Sequence, residues 1–180
     1  MVTVKREHLK RATPEVKEAK EFLEITRDFR DPKEAVREAI SNALDWSADN
    51  IWIEVFEDKT RPDQEIIIRI RDDGLGLTEA RLKAFFNLGD SPGYQEDELG
   101  NKISNKIGEK GHGTKTFFNS REIEVESQSD EGLAYALMRT PLELLMKGEV
   151  PPYDWDFDPS QRGNTYTLVT IRGYDNNHKR

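Results

Sequence analysis

The chain has 180 residues, 35% of them hydrophobic, with a formal net charge of -8 and no cysteine. That length and apolar content suffice for one moderate core, so a single domain over residues 1–180 is expected. The negative charge disfavours direct binding to a nucleic-acid backbone, which needs a basic face to displace counterions. The missing cysteines remove disulfides, thiolate metal sites and thiol nucleophiles, as fits a reducing compartment. The start, Met-Val-Thr-Val-Lys-Arg, has no apolar stretch for a signal peptide or membrane span, so a cytoplasmic setting without membrane partners is expected.

In chain order, Thr13-Pro14-Glu15 marks a helix start, and Val16, Ala19, Phe22 and Leu23 recur at helical spacing to about Asp28. Residues 1–30 thus read as a helical extension. Asp31-Pro32-Lys33-Glu34 places a capping acid before a proline at the first helical position, predicting a second helix to about Trp46. Residues Ile51–Phe56 and Glu65–Arg71 are rich in β-branched and aromatic side chains and flank a turn at Thr60-Arg-Pro-Asp63, which predicts an antiparallel pair. Thr78 caps a helix through Phe86. From Asn87 to Lys110 the chain is rich in Gly, Asn and Asp with little apolar periodicity, too long for an ordinary connection and typical of a lid or of disorder. A helix resumes over Gly113–Phe118. Strands are predicted at Glu122–Ser127, Leu133–Met138 and Thr165–Ile171, with a short helix at Leu142–Met146. Pro151–Asp158, acidic and aromatic, reads as a partner surface or as buried aromatic packing.

Three stretches carry chemistry. On the second helix, Val36, Ala39, Ile40, Ala43 and Leu44 fall on one side and Glu38, Asn42 and Asp45 on the other. An amide oxygen beside a carboxylate suits magnesium, which takes few protein ligands, so Asn42 is the natural ligand and Glu38, one turn away, could polarise an attacking water. Alone, the stripe reads first as the solvated face of an amphipathic helix, and only the other two stretches reverse that. In the second stretch, alternation along the strand puts Asp72 on the buried side with Ile66, Ile68 and Ile70. A carboxylate there needs a donor, and the exocyclic amine of adenine is a suitable one. Gly74 and Gly76 let the backbone turn and approach a flat ring, although a simple turn with solvated Asp72 and Asp73 fits the same letters. In the third stretch, Gly108 to Lys115 leads into a helix, an arrangement that aims backbone N–H groups at phosphate, with Lys110 and Lys115 adding charge. A flexible glycine loop is the alternative. His112 lies between glycines with no evident partner and reads as a spacer.

Rival nucleotide motifs fail on register. Thr114 separates Gly113 from Lys115-Thr116, which breaks the P-loop pattern, and neither Gly74-Leu-Gly76 nor Gly111-His-Gly113 has the third glycine of a dinucleotide fingerprint. Together, Glu38-Ala-Ile-Ser-Asn42-Ala-Leu-Asp45, Asp72-Asp-Gly74-Leu-Gly76 and Ile107-Gly108-Glu-Lys-Gly111-His-Gly113-Thr-Lys115 resemble the N, G1 and G2 boxes of the GHKL ATPases, nearest the heat-shock chaperone, MutL and microrchidia branches. The resemblance spans Asp31 to Ile171. It implies the Bergerat fold, a two-layer α/β (α+β) sandwich with a mixed, mostly antiparallel sheet, helices on one face, and an ATP lid at residues 87–110.

By position it implies Glu38 as general base, Asn42 as magnesium ligand, Asp72 as adenine acceptor and Asp45 beside the nucleotide, with Gly74 and Gly76 at the base. Gly108, Lys110, Gly111, His112, Gly113, Thr114 and Lys115 would form the phosphate loop. Gly163-Asn164-Thr165 resembles the Gly-Thr before the last core strand, making Thr165 a member of the adenine network and Thr167 its rival. The implied activity is magnesium-dependent, slow hydrolysis of ATP to ADP and phosphate, with lid closure switching a homodimer or partner. Gyrase and MutL complete the site from a transducer domain, so the chain reads as a module of a larger protein, weak alone. The alternatives are a non-hydrolysing ATP-binding regulatory module and a histidine-kinase-type catalytic domain, though His8 lacks the expected surroundings of a phosphoacceptor.

Overall fold

A computed structural model describes residues 17–28, 31–60, 65–88 and 113–174. Helix α1 covers Glu18–Asp28 and α2 covers Pro32–Asp45. The Asp31 side chain accepts a hydrogen bond from the Lys33 N–H (2.9 Å), so the acid ahead of the proline caps α2 as expected. Strands β1 (Ile51–Asp58) and β2 (Glu65–Asp72) precede α3 (Glu79–Phe86), whose first turn is capped by Thr78. A six-residue 3-10 helix at Gly113–Phe118 leads into β3 (Glu122–Gln128) and β4 (Leu133–Arg139). Then come α4 (Pro141–Met146), β5 (Tyr153–Asp158) and β6 (Tyr166–Arg172). Among the described residues no helix is long and apolar enough to cross a membrane.

Among the described residues six strands form one sheet in the order β1-β2-β6-β3-β4-β5, with every neighbouring pair antiparallel. One row of aligned residues runs Ile51, Asp72, Thr167, Ser127, Ala134 and Phe157 across it. The row two residues away holds Ile53, Ile70, Val169, Val125, Ala136 and Trp155 on the same face. Most of these side chains are buried against Ala19, Phe22, Ala35, Ala39, Leu82, Phe86, Phe117 and Phe118, which places the helices on this face. Phe22 stacks on Phe118 with ring centroids 5.5 Å apart. The fold is the Bergerat α/β architecture anticipated from sequence.

Three elements differ from expectation. Tyr153–Asp158 is an edge strand, because its alternation of Tyr, Trp and Phe with Asp matches the pleat of a sheet. Tyr153 stacks on Phe86 at 4.3 Å and Lys83 lies over the Trp155 ring, so these aromatics pack against α3. Leu44, expected on the apolar side of α2, is 54% exposed, while Ala35, Ala39 and Ala43 are buried at i, i+4 and i+8. Packing on small residues lets the helix approach closely and brings the flanking Glu38 and Asn42 down with it. Finally, Gly113–Phe118 winds as a 3-10 helix. The expected lid falls outside the described residues apart from Asn87 and Leu88, as do Gly108, Lys110, Gly111, His112 and the first sixteen positions.

Candidate nucleotide site

Helix α2 acts as a ruler between two ends of the site. The carbonyl of Trp46, which caps its C-terminal end, accepts a hydrogen bond from the Leu75 N–H (3.0 Å), fixing the turn after β2 against the helix end. A Cβ at Gly74 would lie 2.7 Å from that same carbonyl oxygen, so glycine is required for the approach. Asp73 reinforces the turn. Its carboxylate accepts from the Asp49 and Asn50 N–H groups and from the Asn50 side chain, and these bonds hold its pKa below the ordinary value. Gly76 adopts φ +71°, and a side chain there would overlap the Gln128 carbonyl on β3.

Asp72 is buried at the end of β2 on the helix-covered face, as the alternation required. Its Oδ1 accepts from the Gly74 N–H at 2.9 Å. Burial raises its pKa above 3.8, outweighing that hydrogen bond, while neighbouring Asp73 pushes the same way. In register beside it lies Thr167, whose hydroxyl is 3.1 Å from Ser127 Oγ. Ser127 Oγ also accepts from the Leu77 N–H (2.8 Å) and donates to the Tyr166 carbonyl (2.7 Å). Thr165 precedes β6, so of the two threonines Thr167 is the neighbour of Asp72. Ser127 was not singled out from sequence, although its parity with Ile123 and Val125 marks it as a polar side chain on the buried face.

Eight residues back along α2, about 12 Å of helix, Glu38 meets the glycine bend. A Cβ on Gly113 would overlap the Glu38 carboxyl group, falling well under 3.0 Å from both oxygens. The carboxyl therefore rests on the bare Cα of Gly113. Desolvation raises its pKa above 4.5, opposed by the charge of Arg37 and a hydrogen bond from the Asn42 side chain. Asp45 raises it slightly further and Lys115 lowers it. Glu38, Asn42 and Asp45 thus interact as one group on the half-buried flank of α2.

The other residues of the glycine bend face α3. Thr114 Oγ1 donates to the Phe85 carbonyl at 2.7 Å. Lys115, expected at the phosphates, is completely buried, and its ammonium donates to Phe85 O (3.0 Å), Ala84 O (3.4 Å) and Thr114 Oγ1 (3.1 Å). The physical reason is local: the last carbonyls of α3 lack helical partners and form the negative end of its dipole, which attracts a cation.

Among the described residues no cluster of three or more His, Cys, Asp or Glu side chains could hold a metal unaided. An open groove of about 500 Å³ lies on the opposite face of the sheet, lined by Trp52, Glu54, Arg69, Arg71, Glu124 and Arg172 among others. Its charges are largely paired with one another: Arg69 with Glu54, and Arg172 with Glu122 and Glu124. It is separate from the site along α2.

The fold is similar to the ATPase region of Saccharomyces cerevisiae topoisomerase II, including its structure bound to ICRF-187 (dexrazoxane). Two such structures, one of them bound to that compound, share 18% identity over 79% of this chain and 37% of theirs, with TM-scores of 0.53 and 0.52. The ATPase and transducer domains of DNA topoisomerase II from Balamuthia mandrillaris are similar at 21% identity and TM-score 0.53, over 78% of this chain and 36% of theirs. These likenesses establish the fold, and the chain spans little more than a third of each structure. No curated protein matches the chain. The family model of histidine kinase-, DNA gyrase B- and HSP90-like ATPases matches residues 30–144, well over half of the sequence and including Glu38, Asn42, Asp72 and Gly113. The chain therefore belongs to the histidine kinase-, DNA gyrase B- and HSP90-like ATPases.

Proposed function

We propose that this protein binds ATP along α2 and hydrolyses it slowly to ADP and phosphate. Adenine sits at Asp72, whose buried carboxylate accepts from the exocyclic amine, with Thr167 and Ser127 completing the polar floor. The triphosphate extends toward Gly113. There Glu38 takes a proton from the attacking water, and burial suits it to that role by bringing its pKa nearer the operating pH. The observation that supports this best is the contact between the Glu38 carboxyl and the bare Gly113 Cα, a partly desolvated carboxyl group at the glycine bend.

Magnesium fits the donor set. Asn42 lies beside Glu38 and favours its charged form, and its amide oxygen is the donor a hard cation would use, with the remaining ligands drawn from phosphate and water. The ion would supply neutralisation of charge on the transferred phosphoryl group. Because the structural neighbours extend well beyond this chain, we place it as the ATPase module of a larger assembly in which nucleotide state switches a dimer or partner contact.

Glu38→Ala is the decisive variant. ATP binding by calorimetry is retained, while phosphate release slows by roughly 100- to 10,000-fold. Equal phosphate release in variant and parent, with contaminating ATPases excluded, removes Glu38 from the base role and leaves a non-hydrolysing binding module.

A further inference from the structure

A fully buried lysine is costly unless its ammonium is hydrogen-bonded, and Lys115 meets that requirement in an unusual place. Three helices converge on Lys115 and the bend that precedes it. Its backbone carbonyl accepts from Thr26 Oγ1 of α1 (3.3 Å), and Thr26 is itself fully buried and also donates to Phe22 O (2.7 Å). Its ammonium donates to the last turn of α3 at Ala84 and Phe85. Two residues earlier, Gly113 rests against Glu38 of α2. Thr114, between them, closes a small ring by donating to Phe85 O and accepting from the Lys115 ammonium.

We propose that Lys115 is a positioning residue that locks the end of α3 to the glycine bend, and through it holds Gly113 against the Glu38 carboxyl. This goes beyond the nucleotide-binding roles assigned above, and its effect on turnover rests on Glu38 being the base. The geometry sets the direction of coupling. Displacing α3 drags the Phe85 carbonyl, the carbonyl drags Lys115 and Thr114, and the bend on which Glu38 rests moves with them. The short Thr114 side chain and the backbone from Lys115 to Gly113 carry the displacement, while the longer Lys115 side chain ties the bend to both carbonyls. A cation tied to two carbonyls in a dry site also has little freedom to leave for solvent.

The test compares Lys115→Met and Thr114→Val with the parent in the full chain. Three quantities are read: the dissociation constant for ATP, kcat, and amide hydrogen exchange at Phe85–Leu88 and Gly113–Phe118. Lys115→Met is expected to lower kcat by roughly 10- to 100-fold, since displacement of a catalytic group by about 1 Å costs that much. ATP affinity stays within about threefold, the pattern of a group whose effect is felt in the transition state. Thr114→Val, which removes only the hydroxyl, shifts kcat in the same direction by less and guards against a Lys115→Met protein that does not fold. Exchange rises at both segments in both variants while other protected segments keep the parent's rates. A tenfold or larger loss of ATP affinity with unchanged exchange overturns the proposal and returns the ammonium to the phosphates. Unchanged kcat and exchange in both variants overturn it as well. If the parent neither binds nor hydrolyses ATP, the proposed function fails, yet exchange still decides the lock: a rise confined to the two segments upholds it, and parent-like rates overturn it.

Discussion

Replacing Gly113 by alanine tests the catalytic geometry without touching any acid, base or ligand side chain. The new Cβ would fall within 3.0 Å of both carboxyl oxygens of Glu38, where ordinary contact begins near 3.4 Å. One of the two must give, and the flexible carboxyl end moves more readily than the backbone. A new Glu38 rotamer costs about 0.5–1.5 kcal/mol, so the melting temperature changes little. Catalysis changes far more, because a retreat of about 1 Å from the attacking water costs roughly 100-fold, or about 2.7 kcal/mol of transition-state stabilisation. Single-turnover phosphate release under saturating ATP reads this directly. The double variant Gly113→Ala with Glu38→Ala supplies the second arm. If the alanine acts by displacing Glu38, the double variant is no slower than Glu38→Ala alone to within about 0.5 kcal/mol. Parent-like release in Gly113→Ala, or losses that add fully in the double variant, would refute the contact as the source of catalytic positioning.

Other outcomes follow from the same geometry. Asp72→Ala removes a charge-assisted hydrogen bond worth roughly 1.5–3 kcal/mol, so ATP affinity falls by about 10- to 150-fold in calorimetry. Thr167→Val weakens ATP in the same assay and Thr165→Val does not, because only Thr167 pairs with Asp72 in the sheet. Gly76→Ala, at φ +71° against the Gln128 carbonyl, destabilises the fold by about 3 kcal/mol or more in thermal melts. Stability also carries a pH signature from Glu38. Burial raises its folded pKa above 4.5, so between 4.5 and the raised value the folded state holds more protons than the unfolded state. That contribution declines as pH rises through the window and is level above it. Glu38→Gln, always neutral, removes the decline from melts recorded across the window.

Much of the site was legible because its signals are local. The Asp31-Pro32 start set the phase of α2, and a period of two carried Asp72 to the same face as Ile68 and Ile70. What escaped depended on packing. Glu38, Asn42 and Asp45 were correctly grouped, but the Ala35, Ala39 and Ala43 stripe that lowers them into the fold is weaker in hydrophobicity than Leu44, which the structure leaves exposed. The strand at Tyr153–Asp158 carried a full alternation, masked by acids on its outer side. Thr167 and Ser127 join Asp72 only through the pairing of β2, β6 and β3, strands far apart in sequence. Lys115 was read as adding charge at the phosphate loop. Its burial under α3 follows from unpaired helix carbonyls that no local motif displays.

The most direct measurement is a crystal structure of the full chain with a non-hydrolysable ATP analogue and magnesium. Adenine N6 is expected within hydrogen-bond distance of Asp72, with the phosphates running along α2 and the terminal phosphate beside Gly113 and Glu38. An analogue bound elsewhere, such as the groove on the opposite face of the sheet, or bound with its base and phosphates reversed along α2, would contradict that arrangement.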